Sequence, residues 1–221
     1  MKEFMTYLPY ILIAVAALAL IIFACYIPKM LRTSRLKKQG RVGEEKVASI
    51  LKKYALMRDC KVINDISIPL YDGCTQIDHI LIGSFGLLLI ETKSHKGDIY
   101  AEPREKEWVH VIGGKKQRLY NPLLQNKAHV DALRYQLQKN KVYKVPVEAV
   151  VVFSAEKKKN LYIEKGHPII EIENLKKFLH QERFEKDNGV DVEKLYNFLK
   201  SIEVTDPKIL KEHDKFVASK K

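Results

Sequence analysis

The first feature of the hydrophobic pattern is an uncharged run, LPYILIAVAALALIIFACYI, which extends from Leu8 to Ile27. A helix of this length would be about 30 Å long, which matches the hydrocarbon core of a bilayer. A buried core helix would show a polar face, and a cleaved signal peptide would show a basic start and a shorter apolar core. The run shows neither pattern. It therefore predicts a transmembrane helix over residues 8–28, which Pro28 ends, after a short tail over residues 1–7.

The charges that flank this run predict its orientation. Only Lys2 precedes it, whereas five basic residues follow it within the linker over residues 29–39: Lys29, Arg32, Arg35, Lys37 and Lys38. Positive residues remain on the cytoplasmic side of a membrane. We therefore expect a single-pass protein of the cell membrane with its N-terminus outside and residues 29–221 in the cytoplasm. The same basic side chains could also contact anionic lipid.

After the linker, the spacing of apolar residues predicts a helix and then strands. Val47, Ile50, Leu51 and Tyr54 recur at helical spacing, which predicts a helix over 42–56. Runs rich in Ile, Val and Leu that end at Gly, Pro or Asp are typical of strands. They predict strands over 61–68, 75–82 and 86–93, followed by shorter strands over 98–101, 108–112 and 116–120.

The second half of the chain begins with a recognisable helix start. Asn121 is a suitable N-cap and Pro122 a suitable first residue for a helix that continues to about Lys139. The run VEAVVVF over 147–153 predicts a fully buried strand. Beyond it we expect a strand over 167–172 and helices over 173–181, 192–202 and 207–218. The order αβββαβ predicts an α/β fold, with one domain over 40–155 and a C-terminal extension, residues 156–221, packed on it.

Composition adds a charge excess to this picture. The net charge is +12, and residues 41–221 alone hold 33 basic and 26 acidic side chains. A basic domain is compatible with a polyanionic partner but does not identify one. The three cysteines show no pairing or metal-ligand spacing, in agreement with a reducing compartment.

The candidate chemistry lies where charged residues interrupt apolar strands. Asp78 follows QI in one run, and Glu91 and Lys93 end the next run in the word IETK. If the turn GSFG over 83–86 closes a symmetric hairpin, Asp78 lies opposite Glu91, and Gln76 lies opposite Lys93. All of these side chains then share one face of the sheet.

Two adjacent carboxylates repel each other, and a cation between them relieves the repulsion. Mg²⁺ typically binds one or two carboxylates together with water and phosphate oxygens, and Mn²⁺ is a common substitute. Such an ion activates water and neutralises charge on a phosphate, and Lys93 would orient the attacking water. A structural ion-pair network is the alternative for the same three residues, and His79 is expected to be a hydrogen-bonded packing residue.

These residues resemble the PD-(D/E)xK nuclease signature and, more narrowly, the nuclease-related domain (NERD) family. The matching words, over about residues 40–155, are GRVGE at 40–44, QIDH at 76–79, IETK at 90–93, GDI at 97–99, Trp108 and NPLLQ at 121–125. The resemblance implies a restriction-endonuclease-like αβββαβ core with a mixed sheet. It also implies Asp78 and Glu91 as metal ligands, Lys93 beside the water, Glu44 as an outer acidic contributor and Gln125 as an accessory residue.

The leading hypothesis is therefore a membrane-tethered, Mg²⁺- or Mn²⁺-dependent nuclease that acts on DNA or RNA, with DNA favoured. Lys115, Lys116 and Arg118 are candidate contacts to the phosphate backbone, although lysines at loop tips are often only solvated. One alternative is a catalytically inactive scaffold that binds nucleic acid or associates with the membrane. Another is a metal-dependent phosphodiesterase that acts on a small molecule.

Overall fold

The computed structural model describes residues 18, 20–23, 34, 38–155 and 159–219. The chain divides into two compact units, residues 1–42 and 43–221. In the part of the chain that is described, no helix is long and apolar enough to cross a membrane. The predicted span over residues 8–28 lies outside the described residues, apart from Leu18 and residues 20–23, which are helical.

The second unit contains nine strands and five α-helices among its described residues. Helix α1 covers 38–56 and begins before the boundary between the units. The strands are β1 (Lys61–Pro69), β2 (Cys74–Gly83), β3 (Gly86–Lys93), β4 (Gly97–Tyr100), β5 (Glu107–Ile112), β6 (Lys115–Tyr120), β7 (Val147–Phe153), β8 (Lys159–Tyr162) and β9 (Ile169–Glu171). The other helices are α2 (Pro122–Lys139), α3 (Ile172–Leu179), α4 (Val192–Ser201) and α5 (Pro207–Ser219), and a 3₁₀ turn covers Glu182–Phe184.

The main sheet has the order β1-β2-β3-β7-β9 and is mixed. Strands β1, β2 and β3 pair antiparallel through tight connections. Strand β7 adds in parallel after a crossover that includes α2, and β9 adds in parallel after a connection that includes β8. Apolar cores form on two sides of this sheet. Val47, Leu51 and Tyr54 of α1 pack with α3 in one core, and Val130, Leu133 and Leu137 of α2 pack with α4 in the other.

The second sheet has the order β6-β5-β4-β8. Its inner side buries Ile99, Trp108 and Leu119 against Val151 and Phe153 of the main sheet. The segment between β3 and α2 supplies three of its strands. The fourth strand, β8, comes from the C-terminal extension and pairs in parallel with β4.

The mixed α/β architecture predicted from the sequence is confirmed, with strand bounds that differ by a few residues at most. The stripe on α1 is buried as expected, and Asn121 caps α2. Strand β8 was not predicted, because its segment shows no run of β-branched residues. The C-terminal extension therefore contributes a strand to each sheet as well as helices.

A candidate acidic site at the end of strand β3

The hairpin of β2 and β3 has the predicted register as far as it extends. Gly83 pairs with Gly86 and His79 pairs with Ile90, and in the described structure the ladder ends there, one residue before Asp78 and Glu91. The ladder therefore includes neither of the two further predicted pairs, Asp78 with Glu91 and Gln76 with Lys93. On its other edge β2 pairs with β1, where Gln76 lies opposite Ser67 and donates from its amide to Asp65.

The alternation of side chains is interrupted at this point in both β1 and β2. Ile77 and Ile80 are three residues apart and yet pack in the same core, as do Ile63 and Ile66 across from them. A regular strand would send two such residues to opposite faces. In β1 the interruption falls at Asp65, whose φ of 55° lies in the left-handed region.

Asp78 is held by the backbone of the neighbouring strand. Its Oδ2 accepts a hydrogen bond of 2.7 Å from the N–H of Thr92. Burial raises the pKa of the Asp78 carboxyl well above its usual value, and the charge of Glu91 raises that pKa further. Lys93 and the Thr92 N–H oppose this rise but do not cancel it. Asp78 is therefore the carboxyl of the pair that more readily keeps a proton.

Glu91 is the most enclosed charge of the site, with 2% of its side chain exposed. Its Oε1 accepts a 2.6 Å bond from Nζ of Lys93, and its Oε2 lies 3.3 Å from Nε2 of His129. Burial alone raises the pKa of Glu91, but Lys93 and His129 outweigh it and bring that pKa to about 2. Glu91 is thus an ionised carboxylate at neutral pH.

Lys93 connects the strand to helix α2. Its Nζ donates to Glu91 and also, over 2.9 Å, to Oε1 of Gln125. Burial lowers the pKa of Lys93, but the surrounding carboxylates of Glu91, Asp78 and Glu44 outweigh burial and raise it. The ammonium is therefore charged and fixed at two points.

Glu44 reaches the same region from the first turns of α1. Burial raises the pKa of its carboxyl, and the charges of Asp65 and Glu91 raise it further, which places all three carboxylates within electrostatic reach. Gly43 precedes it and is buried. A Cβ at Gly43 would collide with Ser154 and lie 3.0 Å from Cβ of Ser94, so the glycine permits α1 to approach the ends of β3 and β7.

The structure thus brings together all five residues predicted for the catalytic site: Glu44, Asp78, Glu91, Lys93 and Gln125. Their roles stay predictions. Sequence reasoning did not assign a function to His129 or Asp65. Gln125 and His129 are one helical turn apart, and this spacing could have indicated that His129 lies near the site together with Gln125. Nothing in the sequence distinguished Asp65 from a turn residue.

The donor set fits a hard divalent cation in part. Two carboxylates with a raised pKa on one of them are the oxygen ligands that Mg²⁺ prefers. Among the described residues, no group of three or more His, Cys, Asp or Glu side chains is arranged to hold a metal ion. Waters and substrate oxygens would have to supply the remaining ligands.

The candidate nucleic-acid contacts lie on the second sheet. Lys116 and Arg118 alternate with buried residues of β6 and so share its outer face, whereas Lys115 at the turn has the opposite alternation. Arg118 pairs with Glu107 at 2.9 Å. On the same face, in the same row across the strands, Tyr100 and Tyr162 stack at 4.7 Å and are about half exposed.

Comparison with known proteins identifies the family of the chain. Residues 39–154 match the nuclease-related domain family, known as NERD. An uncharacterised protein of Bacillus anthracis is 26% identical over 211 residues, which cover 91% of this chain and 95% of that protein. No solved structure matches the chain significantly. Because the family match covers more than half of the chain, the protein belongs to the nuclease-related domain family.

Proposed function

We propose that this protein is a membrane-tethered, divalent-cation-dependent nuclease that hydrolyses phosphodiester bonds in DNA or RNA. The observation that carries the proposal is the cluster at the end of β3. There the ammonium of Lys93 is held by both Glu91 and Gln125, and the protonation-prone Asp78 lies beside them. An acid-rich site with one fixed ammonium suits the binding of a cation and a phosphate.

Asp78 and Glu91 would hold Mg²⁺ or Mn²⁺. The ion would supply Lewis-acid chemistry, which activates water and neutralises the charge on a phosphate. Lys93 would orient the attacking water, since its Nζ is charged and its direction is set by two hydrogen bonds. Gln125 would keep the ammonium aimed at the water, and Glu44 would contribute negative charge from the opposite side.

The tether rests on the sequence. The apolar run over 8–28 has the length of a bilayer span, and the basic linker after it favours a cytoplasmic domain. The described residues of that run, Leu18 and residues 20–23, are each more than half exposed, which suits contact with lipid. A tether of this kind would confine hydrolysis to the cytoplasmic surface of the membrane.

The outer face of the second sheet would carry the nucleic acid. Lys116 and Arg118 would contact phosphates, and the Tyr100–Tyr162 stack would accept a base. Glu107 and Asp98 lie on the same face, so the local charge is balanced and stacking must add to the attraction. The sheet is also connected directly to the site, because β4 begins four residues after Lys93 and β6 ends five residues before Gln125.

Hydrolysis assays on the full-length protein in detergent test the proposal. Labelled single- and double-stranded DNA and RNA are incubated with Mg²⁺ or Mn²⁺. We expect cleavage that falls at least about 100-fold in Asp78→Asn and Lys93→Met. Lys127→Met is the matched control, since Lys127 lies on the exposed side of α2 and pairs with Asp131 there. Cleavage that persists in either site variant would overturn the proposed site.

A second function is favoured by one observation. The two oxygens of Glu91 already face Lys93 and His129, so the negative charge of Glu91 is compensated without a metal ion. This arrangement suits a non-catalytic scaffold that binds nucleic acid. The scaffold predicts binding without cleavage, with an affinity that falls steeply as salt rises. Asp78→Asn would then leave binding intact or strengthen it.

A further inference from the structure

His129 bridges two strands of the site from the buried face of α2. Its Nε2 lies 3.3 Å from Oε2 of Glu91 on β3, and its Nδ1 lies 2.9 Å from Oγ1 of Thr75 on β2. His129 and Glu91 are both almost fully buried. In the described part of the protein, Nε2 and Oε2 have no hydrogen-bond partner other than this long mutual contact. Each atom therefore depends on the other.

We propose that Thr75 and His129 form a positioning pair for Glu91, in which the Thr75 hydroxyl holds the imidazole at Nδ1 so that Nε2 faces the carboxylate. The inference rests on the proposed function and deepens it, because it identifies the residues that orient Glu91, one of the two proposed metal ligands. The sequence motifs that carry the family resemblance include neither Thr75 nor His129.

The hydrogen-bond inventory of the three groups permits few arrangements. A neutral imidazole has one N–H and one lone pair, a hydroxyl both donates and accepts, and an ionised carboxylate only accepts. Because the hydroxyl can either donate to Nδ1 or accept from it, Thr75 can hold the ring in each arrangement that places a proton on Nε2. With a lone pair on Nε2 instead, two buried acceptors would face and repel each other.

The pair completes a ring of contacts that includes Lys93. Gln125 and His129 are four residues apart on α2 and so lie on the same face of that helix. Gln125 holds Lys93, His129 faces Glu91, and Lys93 and Glu91 hold each other. Without the imidazole contact, Oε2 of Glu91 would lose the group that fixes the carboxylate plane. A partner of this kind typically contributes about 10- to 100-fold to the metal affinity of a ligand.

The ring proton is located directly by long-range ¹H–¹⁵N NMR of the His129 ring in the full-length protein in detergent, at pH 7.5 and without metal. We expect a proton on Nε2 in the wild type. A ring whose single proton is on Nδ1 would overturn the proposal. This readout needs no hydrolysis, so it stays informative if the protein proves not to be a nuclease.

Mn²⁺ titration followed by electron paramagnetic resonance tests the consequence. Thr75→Val removes the hydroxyl at constant shape, and we expect about 10-fold weaker Mn²⁺ binding, because the ring that faces Glu91 loses its second contact. Thr75→Ser restores the hydroxyl and should rescue the affinity. Thr205→Val, at an exposed position between α4 and α5, is the matched control. A Thr75→Val variant with unchanged Mn²⁺ affinity would refute the positioning role, whereas a wild type that binds no Mn²⁺ would refute the proposed function.

Discussion

Replacement of Asn121 tests how the start of α2 is fixed. Its Oδ1 accepts from the N–H groups of Leu123 and Leu124, and its Nδ2 donates to the carbonyls of Pro103 and Glu105 at 3.0 and 2.7 Å. The residue itself is fully buried. One amide thus caps the helix and closes the loop between β4 and β5.

The cost of Asn121→Ala follows from these four hydrogen bonds. Loss of an N-cap costs about 1 kcal/mol. Each of the two part-buried hydrogen bonds that Nδ2 donates adds about 1 kcal/mol. We therefore expect the free energy of unfolding to fall by about 3 kcal/mol. Asn121→Ser keeps a capping oxygen but not the two donated bonds, so its expected loss is about 2 kcal/mol.

Urea unfolding measures both variants through the fluorescence of Trp108. This residue is the chain's single tryptophan, is fully buried and donates to the carbonyl of Glu102 in the same loop. A loss below about 1 kcal/mol in Asn121→Ala would refute the reasoning from the four bonds. Equal stability of Asn121→Ser and the wild type would show that the two donated bonds contribute nothing.

Three further predictions concern other parts of the protein. Burial lowers the pKa of His79 from 6.5 to about 4. Between these values only the unfolded imidazole binds a proton, so the free energy of unfolding should fall by about 1.4 kcal/mol for each pH unit of acidification. Urea titrations should show this contribution in the wild type but not in His79→Asn, and equal slopes in the two proteins would contradict the pKa shift. Gly43→Ala should destabilise the protein, because the new Cβ would collide with Ser154. Elsewhere in a helix the same change stabilises a protein by about 1 kcal/mol, so a higher urea midpoint for Gly43→Ala would exclude that clash. Joint replacement of Tyr100 and Tyr162 by Ala should weaken binding of a single-stranded oligonucleotide by about 1–3 kcal/mol, measured by fluorescence anisotropy. Tyr143, an exposed residue after α2, is the control, and Tyr143→Ala should leave binding unchanged. An equal loss in all variants would argue against the stack.

The parts of the fold that depend on local rules were predictable. The turn over 83–86 fixes the register of β2 and β3, because a short symmetric hairpin allows a single pairing of its two strands. The apolar run of β7 and the Asn-Pro start of α2 likewise depend on residues adjacent in sequence. Strand β8 was not predictable in this way, since Lys159–Tyr162 becomes a strand through pairing with β4, more than 50 residues earlier.

The site shows the same division between local and distant determinants. Period-two alternation placed Glu91 and Lys93 on one face, which their mutual contact confirms. The alternation fails at Asp65, which has a left-handed backbone conformation. Aspartate tolerates that conformation better than most residues, but its presence inside an apolar run does not by itself predict it. The interruption leaves the N–H of Thr92 free to donate to Asp78 rather than to a ladder partner.

Helix α2 supplies what strand patterning could not. Whether Gln125 and His129 reach Lys93 and Glu91 depends on how α2 crosses the sheet, which is set by the packing of Val130, Leu133 and Leu137 on the core. The same burial that fixes this crossing removes water from Glu91, so each polar partner from α2 counts for more than it would at the surface. A substitution in that apolar stripe should therefore alter cation binding without touching any charged residue. Leu133→Ala, at a fully buried position one turn after His129, is the sharpest such case. We expect it to weaken Mn²⁺ binding beyond the fraction of protein that it unfolds, and an unchanged affinity in the folded fraction would show that α2 is positioned by its cap and its ends alone.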